Sequence, residues 1–184
     1  MFKVNSLYDA IPEVIQVEGF SLRQVCDDDL EVIASLSQQI AVSRYKFSDF
    51  PDTVRALRRW LRGIRRNSKL NQRVVRVIVD SEQNVIIGML SIYACSKRAP
   101  VLLGYWLTPE YWGRGLMTVV VRRCMELACL HGDFLEIQAE VVVGNQASRR
   151  VLEKNQFVLT GGLSRVKGVR GDFHQVLLYS YSGG

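Results

Sequence analysis

Apolar side chains recur at every second position in some stretches of this chain and at every third or fourth in others. Residues 18–25 make the first predicted strand, and residues 1–17 read as an N-terminal extension before it. Asp27 is suited to cap a helix over 28–43, where Leu30, Ile33, Ala34, Ser37 and Ile40 share one face. A second helix is predicted over 51–69, with Leu57, Trp60, Leu61 and Ile64 as its buried stripe. Three β-rich runs follow, 74–79, 85–93 and Val101–Leu107. The helix predicted over 115–131 sets Val120, Cys124, Leu127 and Ala128 on one face and stops at Gly132, a residue that readily ends a helix. A strand over 134–143 leads to Asn145, which can cap a helix running through Lys154. Two last strands, about 156–167 and 173–182, form an antiparallel pair. Strands on both sides of helices predict a mixed α/β sheet.

Composition narrows the class. The 184 residues suit one domain with a substantial core, and 48% of them are apolar. The apolar runs are far shorter than a membrane span, and Asp9 and Glu13 do not suit a signal peptide, so no membrane partner is expected. Cys26, Cys95, Cys124 and Cys129 form no C-x-x-C pair, and the chain has only two histidines, so no metal is expected. Free thiols fit a reducing cytoplasm.

The most informative stretch joins the Val101–Leu107 strand to the third helix. After Pro109 comes Glu110-Tyr111-Trp112-Gly113-Arg114-Gly115, and the helix begins at once with Leu116, Met117 and Thr118. A helix N-terminus presents unpaired N–H groups and a positive dipole end, which suit a phosphate. Gly113 and Gly115 let the backbone turn tightly and approach a ligand. A plain strand-to-helix turn is the alternative. Two other phosphate loops fit poorly. No Lys with Ser or Thr follows Gly115, as a P-loop requires, and Thr118 stands where a dinucleotide fingerprint has Gly or Ala.

The same run resembles the acetyl-CoA pyrophosphate loop of the GNAT acetyltransferases, Q/R-x-x-G-x-G/A, with Glu110 at the first position as a departure. The sequence from Gly104-Tyr105-Trp106-Leu107 through Gly115 is similar to the RimJ/RimL-like branch, which acetylates ribosomal-protein N-termini. So are the later run from Asn145-Gln146-Ala147-Ser148 to Leu152-Glu153-Lys154-Asn155-Gln156-Phe157 and the closing Gly171-Asp172-Phe173-His174. The resemblance covers roughly residues 18 to 182. It implies one GNAT-type domain over 1–184, with a mixed, mostly antiparallel twisted sheet of about six to seven strands flanked by about four helices. It implies acetyl-CoA as cosubstrate, held by Trp106, Leu107, Tyr111, Gly113, Arg114, Gly115, Leu116, Met117, Thr118 and Asn145. The acceptor it implies is a primary amine, a protein N-terminal α-amine or a small amine, served by a cytoplasmic monomer or homodimer.

Acetyl transfer needs few chemical groups. A thioester is already activated, so an amine held in line attacks it directly. The oxyanion needs an N–H donor, which the strand end at Trp106 and Leu107 can supply unless these are ordinary strand core. The leaving thiolate takes a proton. The wider superfamily often uses a Tyr here, but the matching position is Leu152, and the RimL-like branch has a Ser one turn earlier, which this chain keeps as Ser148. Ser is also ordinary in a helix's first turn. Relatives carry Glu as a base shortly after the G-F pair, where this chain has Thr160, which cannot serve. Glu140, Asp172, His174 and water are the substitutes, with Glu140 on the strand that faces the acetyl group in related folds.

The predicted helix 51–69 is basic. Arg55, Arg58, Arg59, Arg62, Arg65, Arg66 and Lys69 fall between Asp52 and Asp80 with no intervening acid, in a chain of formal net charge +6. In the family this segment borders the acceptor cleft, so the expected partner is an acidic or ribosome-associated acceptor. Nucleic acid is an alternative partner of the 55–69 segment, and a merely solvated face is another. The leading reading is an acetyl-CoA-dependent N-acetyltransferase; the other is a catalytically inactive relative that binds CoA or RNA.

Overall fold

The fold is known from a computed structural model, which describes residues 11–39, 42, 44–45, 51–67, 73–94, 100–131, 136–167 and 173–182. In chain order the strands are β1 (Val14–Val17), β2 (Phe20–Gln24), β3 (Arg73–Asp80), β4 (Val85–Ala94), β5 (Val101–Leu107), β6 (Ile137–Val142), β7 (Val158–Lys167) and β8 (Phe173–Tyr181). The helices with described bounds are α1 (Leu30–Gln38), α2 (Val54–Asn67), α3 (Leu116–His131) and α4 (Gln146–Lys154). Single 3₁₀ turns precede α1 and α3, at Asp27–Asp29 and Pro109–Tyr111.

Among the described residues, all eight strands join one sheet in the order β1-β2-β3-β4-β5-β6-β8-β7. Every pairing is antiparallel except β5 with β6. The sheet thus exceeds the six to seven strands expected. The extra strand, β1, comes from residues read as an extension: Ile15 is 3% exposed, and Gly19, at φ +73°, closes the hairpin to β2. Four apolar-rich residues are too few for periodicity to reveal.

The sheet's two faces carry separate cores. Alternation along β5 sends Val101, Leu103 and Leu107 to the face covered by α3 and α4, where they meet Val120, Val121, Cys124, Ala128 and Leu152. Trp106 points to the other face, where Leu30, Ile33, Leu57 and Leu61 pack on Val75, Val77 and Met89. Each fully buried Leu, Ile or Val contributes roughly 1.5–3 kcal/mol. Trp60 and Ile64 of α2 are only partly buried against that core.

Two boundaries differ from the sequence reading. The first helix ends at Gln38, and Ile40 and Ser43 lie outside the described residues. Its entry is held by Asp29 rather than Asp27: Asp29 accepts from Cys26 N–H (2.8 Å) and takes both Arg23 guanidinium nitrogens (2.8 Å each). Burial opposes ionisation of Asp29, but the Arg23 and Cys26 hydrogen bonds outweigh it and hold the carboxyl below its ordinary pKa. The expected stop at Gly132 and the strand start at 134 also lie outside the described residues, as does Lys69.

Arg76, 2% exposed, sits within the apolar run of β3. Its guanidinium donates to the carbonyls of Ile11 (3.2 Å), Pro12 (2.8 Å) and Val75 (3.1 Å), tying the segment before β1 to the sheet.

Candidate active site

Strands β5 and β6 pair only at Val101 with Ile137 and Leu102 with Gln138, then separate. Val101 N–H donates towards β6, to Glu136 O, whereas Thr108 N–H donates towards β4, to Ile87 O. Pairing of β5 with β4 runs without a shift from Val101 to Leu107. Strict alternation then turns the Trp106 N–H into the β4 ladder and leaves those of Tyr105 and Leu107 facing the gap. Of Trp106 and Leu107, therefore, it is Leu107 whose N–H faces the gap.

A cavity of about 450 Å³ fills this gap and reaches both faces of the sheet. On the α4 side it is lined by Tyr105, Asn145 and Ser148. On the α2 side its floor is Tyr93, Ser91 and Met89 of β4 beside Leu102, Gly104 and Trp106 of β5, with Trp60, Tyr45, Arg73 and Glu140 around them. Depth comes from the cross-strand pair Ser91–Gly104, where a methyl group on Gly104 would lie 3.2 Å from Ser91 Oγ. The Trp106 indole N–H is buried with no partner among the described residues.

The glycine loop has the form anticipated. Gly113 and Gly115 adopt φ +74° and +79°, and nothing among the described residues crowds either one. Backbone conformation, not packing, demands glycine there. The N–H groups from Gly113 to Met117 make no hydrogen bond among the described residues, whereas Thr118 N–H donates back to Gly115 O (3.0 Å). The array of free donors thus ends at Met117. Leu116 and Met117 bury their side chains in the core while their amides stay at the helix mouth.

Two side chains pin this loop. Trp112 Nε1 donates to Leu107 O (2.8 Å), binding the loop to the end of β5. The Tyr111 hydroxyl donates to Asp80 Oδ2 (2.8 Å), while Asp80 Oδ1 accepts from the amides of Glu82 and Gln83. Those bonds, the Gln83 amide first and the Tyr111 hydroxyl next, hold the Asp80 carboxyl below its ordinary pKa. Arg114 stacks over the Tyr111 ring, 5.1 Å from its centroid. Tyr111 therefore anchors the loop through a hydroxyl already engaged.

Helix α4 brings Ser148 to the gap. Asn145 is its N-cap, accepting from Ser148 N–H (3.1 Å), and also lines the cavity. Asn155 at the other end donates to Thr118 O and Val151 O, so α4 is fixed to the first turn of α3. The Tyr105 hydroxyl donates to Ser148 O (3.2 Å) and stands 3.0 Å from Ser148 Oγ. Burial pushes the Tyr105 phenol well above its ordinary pKa, so it keeps its proton at neutral pH. The sequence reading missed this partner; the signal was its parity, since Tyr105 is two residues from Leu107 and on the same face.

Glu140 projects from β6, exposed, on the α2 side of the cavity. Thr160 hydrogen-bonds Ser180 Oγ (2.8 Å) and does not line the cavity. His174 pairs with Val166 in the β7–β8 ladder and is likewise not among the lining residues, and Asp172 lies outside the described residues. Of the named base candidates among the described residues, only Glu140 reaches the gap. On α2 the arginines at 55, 58, 59, 62, 65 and 66 are exposed, with Arg65 bound to Asp27 (2.6 Å). No described helix is long and apolar enough to cross a membrane.

Comparison with known proteins agrees with this geometry. Residues 20–158 match the family described as acetyltransferase (GNAT) domain. The chain is 22% identical over 164 residues to the SPbeta prophage-derived uncharacterized N-acetyltransferase YokL of Bacillus subtilis, covering 88% of this chain and 89% of that one. Its fold superimposes with a TM-score of 0.77 on ribosomal-protein-S5-alanine acetyltransferase from Vibrio fischeri, at 21% identity, covering 92% and 96% of the two chains. A TM-score of 0.75 relates it to spermidine N-acetyltransferase from Vibrio cholerae in complex with CoA and spermine, at 18% identity and coverage of 90% and 96%. With the family matched over most of its length, this chain belongs to the GNAT acetyltransferases and is an acetyl-CoA-dependent N-acetyltransferase.

Proposed function

We propose that this enzyme moves the acetyl group of acetyl-CoA to the α-amine at a protein N-terminus, by direct attack in a ternary complex. The observation that carries the reading is the gap between β5 and β6: one cavity there is lined by the Ser148–Tyr105 pair and Glu140, and strand alternation turns the Leu107 N–H towards the same side of β5. In this reading the pyrophosphate of acetyl-CoA rests on the free amides of Gly113 to Met117. The thioester carbonyl oxygen takes the Leu107 N–H, which is fixed in place before negative charge develops. Glu140, on the opposite face, takes a proton from the ammonium of the acceptor, and the neutral amine that results attacks the thioester carbon. Ser148 then gives a proton to the departing thiolate and regains one, by way of solvent, from the nitrogen that has become acetylated; Tyr105 positions it, because when the phenol turns its proton to Ser148 Oγ the serine O–H is free to point into the gap.

A protein acceptor suits the open α2 side and the exposed arginines beside it, which draw an acidic, ribosome-associated partner. The likeness to a ribosomal-protein acetyltransferase supports the same choice. A small-amine acceptor is the second reading, favoured by the spermidine-acetylating neighbour. The unpaired thiols of Cys26 and Cys124 suit a reducing compartment, and the proposed location is the cytoplasm. Incubation of the enzyme and acetyl-CoA with N-terminal peptides, lysine side-chain amines and spermidine, followed by mass spectrometry, tests the choice. Acetylation at peptide α-amines is expected; modification of spermidine alone would favour the second reading.

A further inference from the structure

We infer that Arg73 makes this site select acceptors that carry a carboxylate close to the reacting amine and reject polycations. The inference rests on the transferase reading above and deepens it. Arg73 and Glu140 are the charged residues among those lining the cavity. Arg73 opens β3 and is half-buried, with its guanidinium stacked 4.2 Å from the centroid of the Tyr93 ring. Among the described residues it has no carboxylate partner. Cation–π contact with Tyr93 uses the face of the guanidinium and leaves its in-plane N–H donors available to a planar anion in the cavity. A second arginine, Arg44, is exposed and stacks over the ring of Tyr45, another cavity residue (5.5 Å).

The sheet register sets the spacing. Arg73 is opposite Tyr93, Tyr93 opposite Leu102, and Leu102 opposite Gln138, so all four share one row and one face. Glu140 is on that same face of β6, one step nearer the reaction point. Arg73 lies two to three inter-strand steps from the gap and, along the strands, the five residues from Leu102 to Leu107 from the reaction point, ~20 Å in all at the usual spacings. The arginine and acidic side chains span part of this and an extended acceptor advances ~3.3 Å per residue, so its acid falls near the third or fourth residue. A polyamine in the same place sets a second cation against Arg73, in a cavity where screening by water is reduced.

The test uses peptide amides that begin with Ala and carry either Asp or Lys at the second, third or fourth position, with spermidine alongside. The wild-type enzyme should acetylate the best Asp peptide with kcat/KM about tenfold or more above its Lys counterpart, the scale of one half-buried charge pair. Arg73→Gln should abolish the preference and Arg73→Glu should reverse it, both with melting temperatures showing a folded chain. Unlike an effect of the exposed α2 arginines, the preference should survive moderate salt. Equal rates for Asp and Lys peptides, or a preference unchanged in Arg73→Glu, would overturn the assignment while leaving the transferase reading intact. Calorimetry on the CoA-loaded enzyme separates the opposite case: Asp peptides that bind through Arg73 without being acetylated would support the selectivity and defeat the transferase reading.

Discussion

The Tyr105 hydroxyl lies 3.0 Å from Ser148 Oγ, bridging β5 and α4 at the point where β5 leaves β6. Leu152, one turn beyond Ser148 on α4, is wholly buried in the core and offers no proton. The pair therefore holds the acidic protons nearest the α4 side of the gap. Ser148→Ala should lower the chemical step by about 10²-fold while leaving acetyl-CoA affinity nearly unchanged, the mark of an interaction made in the transition state. Tyr105→Phe should have a smaller effect and add little to Ser148→Ala in the double variant, because the two act as a unit. Single-turnover rates check this; a loss below twofold in Ser148→Ala would remove the serine from the mechanism.

The positive φ of Gly113 and Gly115 makes a second forecast. A side chain in this backbone region costs ~1–2 kcal/mol per residue. With no described residue crowding either position, that strain and the ligand itself are the obstacles to a larger residue there. The double substitution to Val should leave the sheet folded, as judged by circular dichroism, and weaken acetyl-CoA binding in calorimetry at least tenfold. Unchanged affinity in the folded variant would remove the pyrophosphate from this loop.

Asp80 links the loop to the end of β3, and its linkage to pH has a definite sign. Its folded pKa is depressed, so its contribution to stability is full above the ordinary carboxylate value of ~3.9 and fades as pH falls through the depressed value. Asp80→Asn should melt at a lower temperature than wild type at neutral pH, with the difference closing as the pH is taken below that range. Tyr111→Phe should reproduce part of the loss and raise the Michaelis constant for acetyl-CoA. A melting difference that stays constant with pH would show that the carboxylate charge plays no part.

Gly88 controls the end of β5 from the neighbouring strand. A methyl group there would land on the Trp106 carbonyl oxygen and 2.7 Å from Leu107 Cδ2. Backbone cannot swing aside as a side chain can, so Gly88→Ala should push Trp106 and Leu107 out of line. The expected cost is ~1–3 kcal/mol of stability, together with a fall in kcat larger than any change in acetyl-CoA affinity. Thermal melts and steady-state kinetics on the same preparation check both parts.

The glycine loop, the Asn145 cap and most β-rich runs were legible because each depends on residues near one another in the chain. Asn145 reaches Ser148 N–H three residues on, and Gly113 and Gly115 need positive φ whatever surrounds them. What was not legible depends on register or on distant partners. Asp29 rather than Asp27 holds the entry to α1 because Arg23, on β2, selects it. Tyr105 reads as an ordinary strand residue until β5 is laid against α4, and Arg73 gains meaning once its row reaches Gln138 through two other strands. Glu140 could be named as a base candidate from the resemblance, but its presence in the cavity, and the absence of Thr160 from the lining residues, follows from how β6 and β8 pair.

Direct transfer across the gap between β5 and β6 is most directly tested by an initial-velocity matrix. Release of free CoA would be followed while acetyl-CoA and an N-terminal peptide acceptor are varied together. Attack by the amine on bound acetyl-CoA needs both substrates on the enzyme at once, so release should require the acceptor and the double-reciprocal lines should intersect. Parallel lines would indicate an acetyl-enzyme intermediate, and release independent of the acceptor would mean that the gap does not carry out acetyl transfer to an amine.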